Sequence, residues 1–365
     1  MSLFCDTAVL FIVPAPGLEK KFIVENAVEK NLQVTRIYFR PAPPIPMIAK
    51  LVDMARYYRL SGIGHKIIRE KFGKPDIVHI HVNPPLGLII YALTHIRKTP
   101  CIFSEHWSGY FPESGAYKGF FRKRFTKSLI KKAKTVTVVS HASQKAMLHH
   151  GLKNEYHVIA NVVDTELFAP AAVKNDSDKR QILHVSGFNP CKNIAGILHA
   201  VKKLSGKRDD FELHLIGDGP DRGELEALAL GLGLKDRFVY FHGRKTAAAV
   251  AAAMRQADFF LLFSDYENSP CVIAEAFATG IPVIATRSGG IPEHVNEKNG
   301  LLVEPGDGDG LAAAIDFMLD HHREYDAKAI RAYALKHFHP QAVGRLFFEI
   351  YRALADGRDR AGAAT

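Results

Sequence analysis

Short apolar runs punctuate the chain at intervals that leave room for a helix between them. Residues 8–13, 34–39, 77–81, 101–104 and 135–140 have strand length in the first half, and 182–186, 211–216, 238–242, 259–263 and 282–285 in the second. Several, 259–263 above all, are too apolar to face water on either side, which suits parallel strands covered on both faces. Between them, 22–30, 48–72 (interrupted near 61–64), 117–134, a stretch from Ile194, 271–278 and 341–354 read as helices. The βα alternation predicts an α/β chain with doubly wound parallel sheets, whose ligands bind at the carboxyl ends of the strands.

The stretch 257–294, ADFFLLFSDYENSPCVIAEAFATGIPVIATRSGGIPEH, organises the rest. A buried strand runs into a polar turn; Pro270 opens a helix and Gly280 ends it. The N–H groups of Ser269, Cys271 and Val272 are thereby aimed above the strand end, where a helix N-terminus favours an anion. Glu267 on the turn and Glu275 one turn into the helix flank that place. Two acids beside an anion site should face hydroxyls, a layout that fits a sugar nucleotide. The plain alternative is a solvated turn glutamate and a surface helix glutamate. A second strand–loop–helix, Gly187-Phe-Asn-Pro-Cys-Lys192-Asn193, adds a cation suited to a diphosphate.

The E-x7-E pair followed by EAFATGIPVIATRSGGIPEHV resembles the retaining GT-B glycosyltransferases of the GT4 type. Residues 158–168, VIANVVDTELF, are similar to that family's domain-junction segment, and GDGP at 217–220 to one of its turns. The resemblance implies two Rossmann-like domains facing across a cleft. They are expected at 1–168 (acceptor side) and 181–340 (nucleotide-sugar side), with a polar linker at 169–180 and a C-terminal helix and tail, 341–365, packing back on the first domain. It implies metal-independent transfer by a hexosyltransferase, without cofactor, from a UDP- or GDP-linked sugar to a glycan or lipid-linked acceptor, in cell-surface polysaccharide or glycolipid synthesis. Glu267, Lys192 and His106, the last in the strand end SEHWSGY, take the catalytic positions. Glu275, Asn268, Ser269, Pro270, Cys271, Val272, Gly187, Asn189 and Gly17 are the donor-binding candidates. The chain departs from the family twice. The glycine-rich loop after the first strand is reduced to Pro14-Ala-Pro-Gly17, and Phe188 and Asn189 stand where the family commonly has an Arg before the lysine.

Composition narrows the setting. The chain has 365 residues, room for two domains, and a formal net charge of +10 with pI near 9.3, so an anionic partner is expected. Cys5, Cys101, Cys191 and Cys271 show no paired spacing, against a disulfide framework or zinc site and for a reducing cytoplasm. The N-terminus reads as a first strand and not a signal peptide, and the longest apolar runs, such as 86–93, are far too short to span a bilayer. The basic stretch 117–134 places Arg122, Lys123, Lys127 and Lys131 beside an apolar stripe of Phe120, Phe121, Phe125, Leu129 and Ile130. It reads as a core helix with a solvated face or as a patch for an anionic membrane, which would make the protein peripheral on the inner face of the cytoplasmic membrane. Nucleic acid is not expected, because no recognition motif accompanies the charge.

Two motifs point elsewhere. Gly217-Asp-Gly219-Pro-Asp-Arg-Gly223 has the look of a dinucleotide fingerprint with imperfect spacing and no following acid. Asp307-Gly-Asp309 matches the D-x-D of metal-dependent transferases but precedes an Ala-rich helix, where an N-cap is simpler. A sugar-nucleotide epimerase of the same fold and a non-catalytic nucleotide-binding, membrane-associated protein are the rival readings.

Overall fold

The computed structural model describes residues 4–29, 32–42, 48–81, 99–171 and 177–362. The apolar run 86–93, most of the proline-rich loop and the centre of the polar linker lie outside these residues.

In the first half, β1 (Ala8–Pro14), β2 (Phe22–Glu29) and β3 (Leu32–Phe39) form one sheet in the order β1-β3-β2, with β1 parallel and β2 antiparallel to β3. This corrects the helix expected at 22–30. Val24 and Ala27 pair with Ile37 and Val34, and Arg36 grips the Glu29 carboxylate through both terminal nitrogens at 2.6 and 2.8 Å. Helix α1 (Ile48–Phe72) runs without the expected interruption. Ser61 donates back to the Tyr57 carbonyl at 2.7 Å. Gly64 lies where a Cβ would stand 2.5 Å from a Leu10 methyl, so the glycine admits close helix–sheet packing and does not break the helix.

A second, all-parallel sheet follows: β4 (Val78–His81), β5 (Cys101–Glu105), β6 (Thr135–Val138) and β7 (Tyr156–Val158), in sequence order. Helix α2 (Phe120–Lys132) packs Thr126, Leu129 and Ile130 inward, and α3 (His141–His149) starts from Ser140, whose hydroxyl accepts from the Ser143 N–H.

The second half carries six parallel strands: β8 (Arg180–Gly187), β9 (Phe211–Asp218), β10 (Val239–Phe241), β11 (Phe259–Leu262), β12 (Val283–Thr286) and β13 (Gly300–Val303). Their order is β10-β9-β8-β11-β12-β13. One face is covered by α4 (Ile194–Ser205), α5 (Arg222–Gly231) and α8 (Gly308–His321). The other face is covered by α6 (Ala247–Gln256), α7 (Cys271–Thr279) and α9 (Ala327–Phe338). All four residues of β11 are fully buried, as a two-sided strand requires. The order reverses between β8 and β11, so a crevice opens above their carboxyl ends.

The last helix, α10 (Pro340–Gly362), returns to the first half. Val343 and Ile350 join Ile102 and Ile159 in one apolar cluster, and Phe347 lies 5.3 Å from the His79 ring. Among the described residues no helix is long and apolar enough to cross a membrane.

Candidate functional site

Two loops rise at the β8–β11 crevice. After β11, Ser264 to Pro270 turns into α7, whose first turn holds no acid and whose N-terminus no side chain caps. Glu267 is nearly buried on that turn. It accepts from Ser264 Oγ at 2.8 Å through Oε1, and its N–H donates to Ser288 Oγ at 3.1 Å. Gly289 closes the turn from behind: it has φ +52°, and a Cβ there would stand 1.6 Å from the Glu267 carbonyl oxygen. After β8, the loop from Gly187 delivers Lys192 onto the same carboxylate, where Nζ and Oε1 form a direct ion pair with both side chains largely shielded. Lys192 and Glu267, both catalytic candidates, thus neutralise each other. That pairing removes the electrostatic conflict of an acid beside an anion site.

Glu275 projects from the first turns of α7 half-buried, with no hydrogen-bond or ion-pair partner for its carboxyl among the described residues. Burial pushes that carboxyl up to about 7. Ser269, Pro270, Cys271 and Val272 line up at the start of α7 as the sequence indicated, and Asn193 caps α4 from a left-handed conformation with φ 46°.

The missing arginine has a structural reason. Phe188 is fully buried, with its ring against Phe241 at 6.2 Å, and the side-chain Oδ1 of Asn189 accepts from Cys191 Sγ at 2.9 Å. Neither offers charge. A cavity of about 710 Å³ opens beside them, lined by Gly187, Asp218, Gly219, Arg244 and Lys245 among others. Arg244 and Lys245 follow β10, are exposed, and had not been picked out as site residues from the sequence. The signal available in the sequence is His242-Gly243-Arg244, which puts a cation just beyond that strand.

From the first half, His106 comes to this crevice at the end of β5. Glu105, buried just before it, accepts from the N–H groups of His106 and Trp107, each at 2.9 Å, and from the Tyr110 hydroxyl at 3.0 Å. This fixes the strand-end turn. Burial holds the His106 imidazole below its ordinary value, while an Asn161 hydrogen bond acts the other way. His81 stacks between His79, at 4.1 Å, and His106, at 5.9 Å; burial and the neighbouring ring lower it to about 4.

The halves meet through polar side chains, among them the donor-binding candidate Asn268. Asn268 accepts from Ser140 Oγ at 2.8 Å and donates to the His106 carbonyl at 3.1 Å. Asn161 donates to the Ser269 carbonyl at 2.9 Å. Glu293 lays its carboxylate across the first N–H groups of α3, accepting from His141 at 2.9 Å and Ala142 at 2.8 Å. Glu293 lies within the organising stretch, three residues beyond the paired glycines, but nothing local to it signals a partner some 150 positions away.

Gly17 adopts φ +89° in the turn after β1 and makes no hydrogen bond to the other candidates. Asp307 caps α8, accepting from the Gly310 N–H at 2.8 Å, and Asp309 pairs with Lys203 at 2.8 Å. The turn after β9 leads into α5, with Gly217 N–H donating to the Gly243 carbonyl at 3.0 Å.

The architecture and the crevice loops are those of a GT-B transferase: two parallel sheets facing each other, with anion-ready loops at a strand-order reversal. Comparison with known proteins makes this specific. Residues 8–167 match the model of Glycosyltransferase Family 4, and residues 166–336 that of Glycosyl transferases group 1. An uncharacterized glycosyltransferase of Methanocaldococcus jannaschii is 31% identical over 256 residues, 67% of this chain and 68% of that protein. The chain belongs to the group 1, family 4 glycosyltransferases. The lipopolysaccharide core biosynthesis glycosyltransferase LpsD of Rhizobium meliloti is 35% identical over 47% of this chain and 49% of its own length. An Anabaena protein, HepE, solved with UDP-glucose superposes with a TM-score of 0.67 at 20% identity, over 95% of this chain and 99% of that one.

Proposed function

We propose that the protein transfers a hexose from a nucleotide-sugar to a glycan or lipid-linked acceptor with retention at the anomeric carbon, at an anionic membrane surface. The observation that carries the reading is the Lys192–Glu267 pair set beside the uncapped start of α7. Glu275 binds the ribose hydroxyls. Glu267, held by Ser264, receives donor-sugar hydroxyls and steadies positive charge developing at C1. The N–H groups of Ser269, Cys271 and Val272, with Asn268 and Pro270 shaping the loop, hold the diphosphate. Arg244 and Lys245, on the wall shared with Gly187 and Gly219, supply positive charge beside the Gly187–Lys192 loop, and Asn189 on that loop is the uncharged donor-binding candidate.

In the transfer, the C1–O bond to the diphosphate breaks and its electron pair passes to the phosphate oxygen. The acceptor hydroxyl bonds to C1 on the same face and gives its proton to the departing phosphate. Lys192 meets more negative charge in the transition state than in the ground state, so it acts on the chemical step. His106 faces the donor sugar from the first half; held below its ordinary value, it works as a neutral ring. The UDP-glucose bound by the Anabaena protein and the lipopolysaccharide role named for the Rhizobium relative support this donor and acceptor class.

The test is a panel of UDP- and GDP-sugars assayed in EDTA, with and without acceptor glycans, following nucleoside diphosphate release and sugar products. Transfer that persists in chelator is expected. A changed sugar without any acceptor indicates epimerisation and defeats the reading, and loss of turnover in EDTA restored by magnesium defeats the metal-independent mechanism. In the same assay Lys192→Ala should lower kcat by roughly 10²–10³-fold, whereas a rise in KM alone would leave Lys192 a binding residue.

A further inference from the structure

Helix α2 does not present the single apolar stripe that its sequence suggests. Thr126, Leu129 and Ile130 are buried, whereas Phe120 and Phe121 are 72% and 84% exposed. At about 100° per residue, Phe120, Phe121, Arg124, Lys127 and Lys131 all fall within roughly 75° of the outward direction. The two phenyl rings stand edge to face, 5.7 Å apart, at the helix start. Arg122 lies over the Trp107 ring at 5.4 Å and donates to the Ala116 carbonyl at 3.1 Å, and Lys123 lies over Tyr117 at 5.9 Å. Those two cations are engaged with the body of the protein. Arg124, Lys127 and Lys131 form no ion pair among the described residues and share the outward face with the phenylalanines.

We propose that this face docks on a bilayer rich in anionic glycerophospholipid. Phe120 and Phe121 enter the boundary of the acyl chains while Arg124, Lys127 and Lys131 meet the headgroup phosphates. The inference rests on the anionic-surface part of the function proposed above and deepens it by moving the anchor from a basic stripe to an aromatic pair. Charge complementarity selects the occupant: from Ser108 to Lys134 there are eight Lys or Arg residues and a single acid, Glu113. A basic helix face tipped with exposed aromatic rings is the composition that interfacial helices use. Placement agrees with it. Arg122 stacks on Trp107, whose N–H is held by the Glu105 that also fixes His106. The docking helix is thereby tied to the turn that carries His106, and a lipid-linked acceptor would enter beside that residue.

The full chain is sedimented with vesicles of phosphatidylcholine alone and of phosphatidylcholine with about one third phosphatidylglycerol, at low and high salt. Wild type should bind the anionic vesicles and leave them at high salt. Phe120→Ser/Phe121→Ser should bind them roughly a hundredfold more weakly, about tenfold per ring lost from an apolar setting, with an unchanged salt response. Arg124→Gln/Lys127→Gln/Lys131→Gln should flatten the salt response. Both variants should keep the wild-type melting temperature and donor binding, since their side chains face outward. Wild type that ignores anionic vesicles overturns the membrane surface altogether. Wild type that binds while the serine variant binds equally overturns the aromatic anchor alone. A serine variant that loses self-association but not vesicle binding assigns the face to a second copy and also overturns the proposal. Vesicle binding needs no donor, so none of these outcomes bears on sugar transfer.

Discussion

Glu275 and Glu267 share a helix and its preceding turn, yet their surroundings differ. Glu267 has Lys192 and Ser264 on its carboxylate, whereas Glu275 has burial and no partner, which raises it to about 7. A carboxyl raised in the folded chain costs nothing while protonated. Its contribution is fully present below the unfolded value and is lost as pH rises through the folded one, so above pH 7 the ionised carboxylate bears the cost of its burial. In the proposed site ribose hydroxyls would donate to the ionised form, and a nucleotide-sugar would then bind with release of a proton. Its affinity should rise about tenfold between pH 6 and pH 8, following the ionised fraction of a group near 7. The diphosphate of a nucleotide-sugar does not titrate in that window, so calorimetric titration with such a donor isolates the effect. Glu275→Gln should bind weakly with no pH dependence. A wild-type affinity flat across the window would detach Glu275 from the ribose.

At the scale of elements, what was legible was what is decided locally. The strand at 259–263, the Pro270 helix start and the Gly280 stop depend on residues next to one another, and β11, α7 and β12 stand where the sequence put them. The error at 22–30 arose because adjacent apolar residues there satisfy a helix as readily as a strand. The choice is made by β3, whose Arg36 takes Glu29. Likewise α2 merges in sequence an inward stripe and an outward one, and only its docking separates Leu129 from Phe121. Glu293 was invisible for the same reason, since its work is to cap a helix of the other half. Replacing a capping carboxylate costs about 0.5–2 kcal/mol, and here two N–H groups lose their acceptor. Glu293→Ala should therefore speed amide hydrogen exchange at the start of α3 by roughly tenfold, with little change in α4. Unchanged exchange at His141 and Ala142 would mean that the cross-domain cap does not form in solution.

On the scale of the whole molecule, the crevice is held together by the loops that form it. Ser140, Asn161 and the His106 carbonyl come from the first half, and Asn268, Ser269 and Glu293 from the second. Helix α10 is a different kind of link. Although it follows the second sheet, Val343 and Ile350 complete the packing around Ile102 and Ile159, so its core belongs with the first half. The halves are also joined at 163–168, where Val163 and Phe168 pack in the core of the second half and Arg331 donates to the Thr165 and Phe168 carbonyls, each at 3.2 Å; the crevice contacts, set beside the proposed donor site, are expected to carry the coupling that responds to donor. Scanning calorimetry tests this. Wild type should unfold in one transition that moves up as a unit with donor. At 100 times its dissociation constant a ligand adds about 2.7 kcal/mol, roughly 5–10 °C for domains of this size. Asn268→Ala/Glu293→Ala removes the side chains that reach Ser140, His106 and α3 while leaving α10 in place. It should split the trace in two, with donor raising only the transition of the six-stranded half. A double variant that still melts in a single donor-shifted step would place the coupling in α10 and the 163–168 segment and strip the crevice contacts of that role.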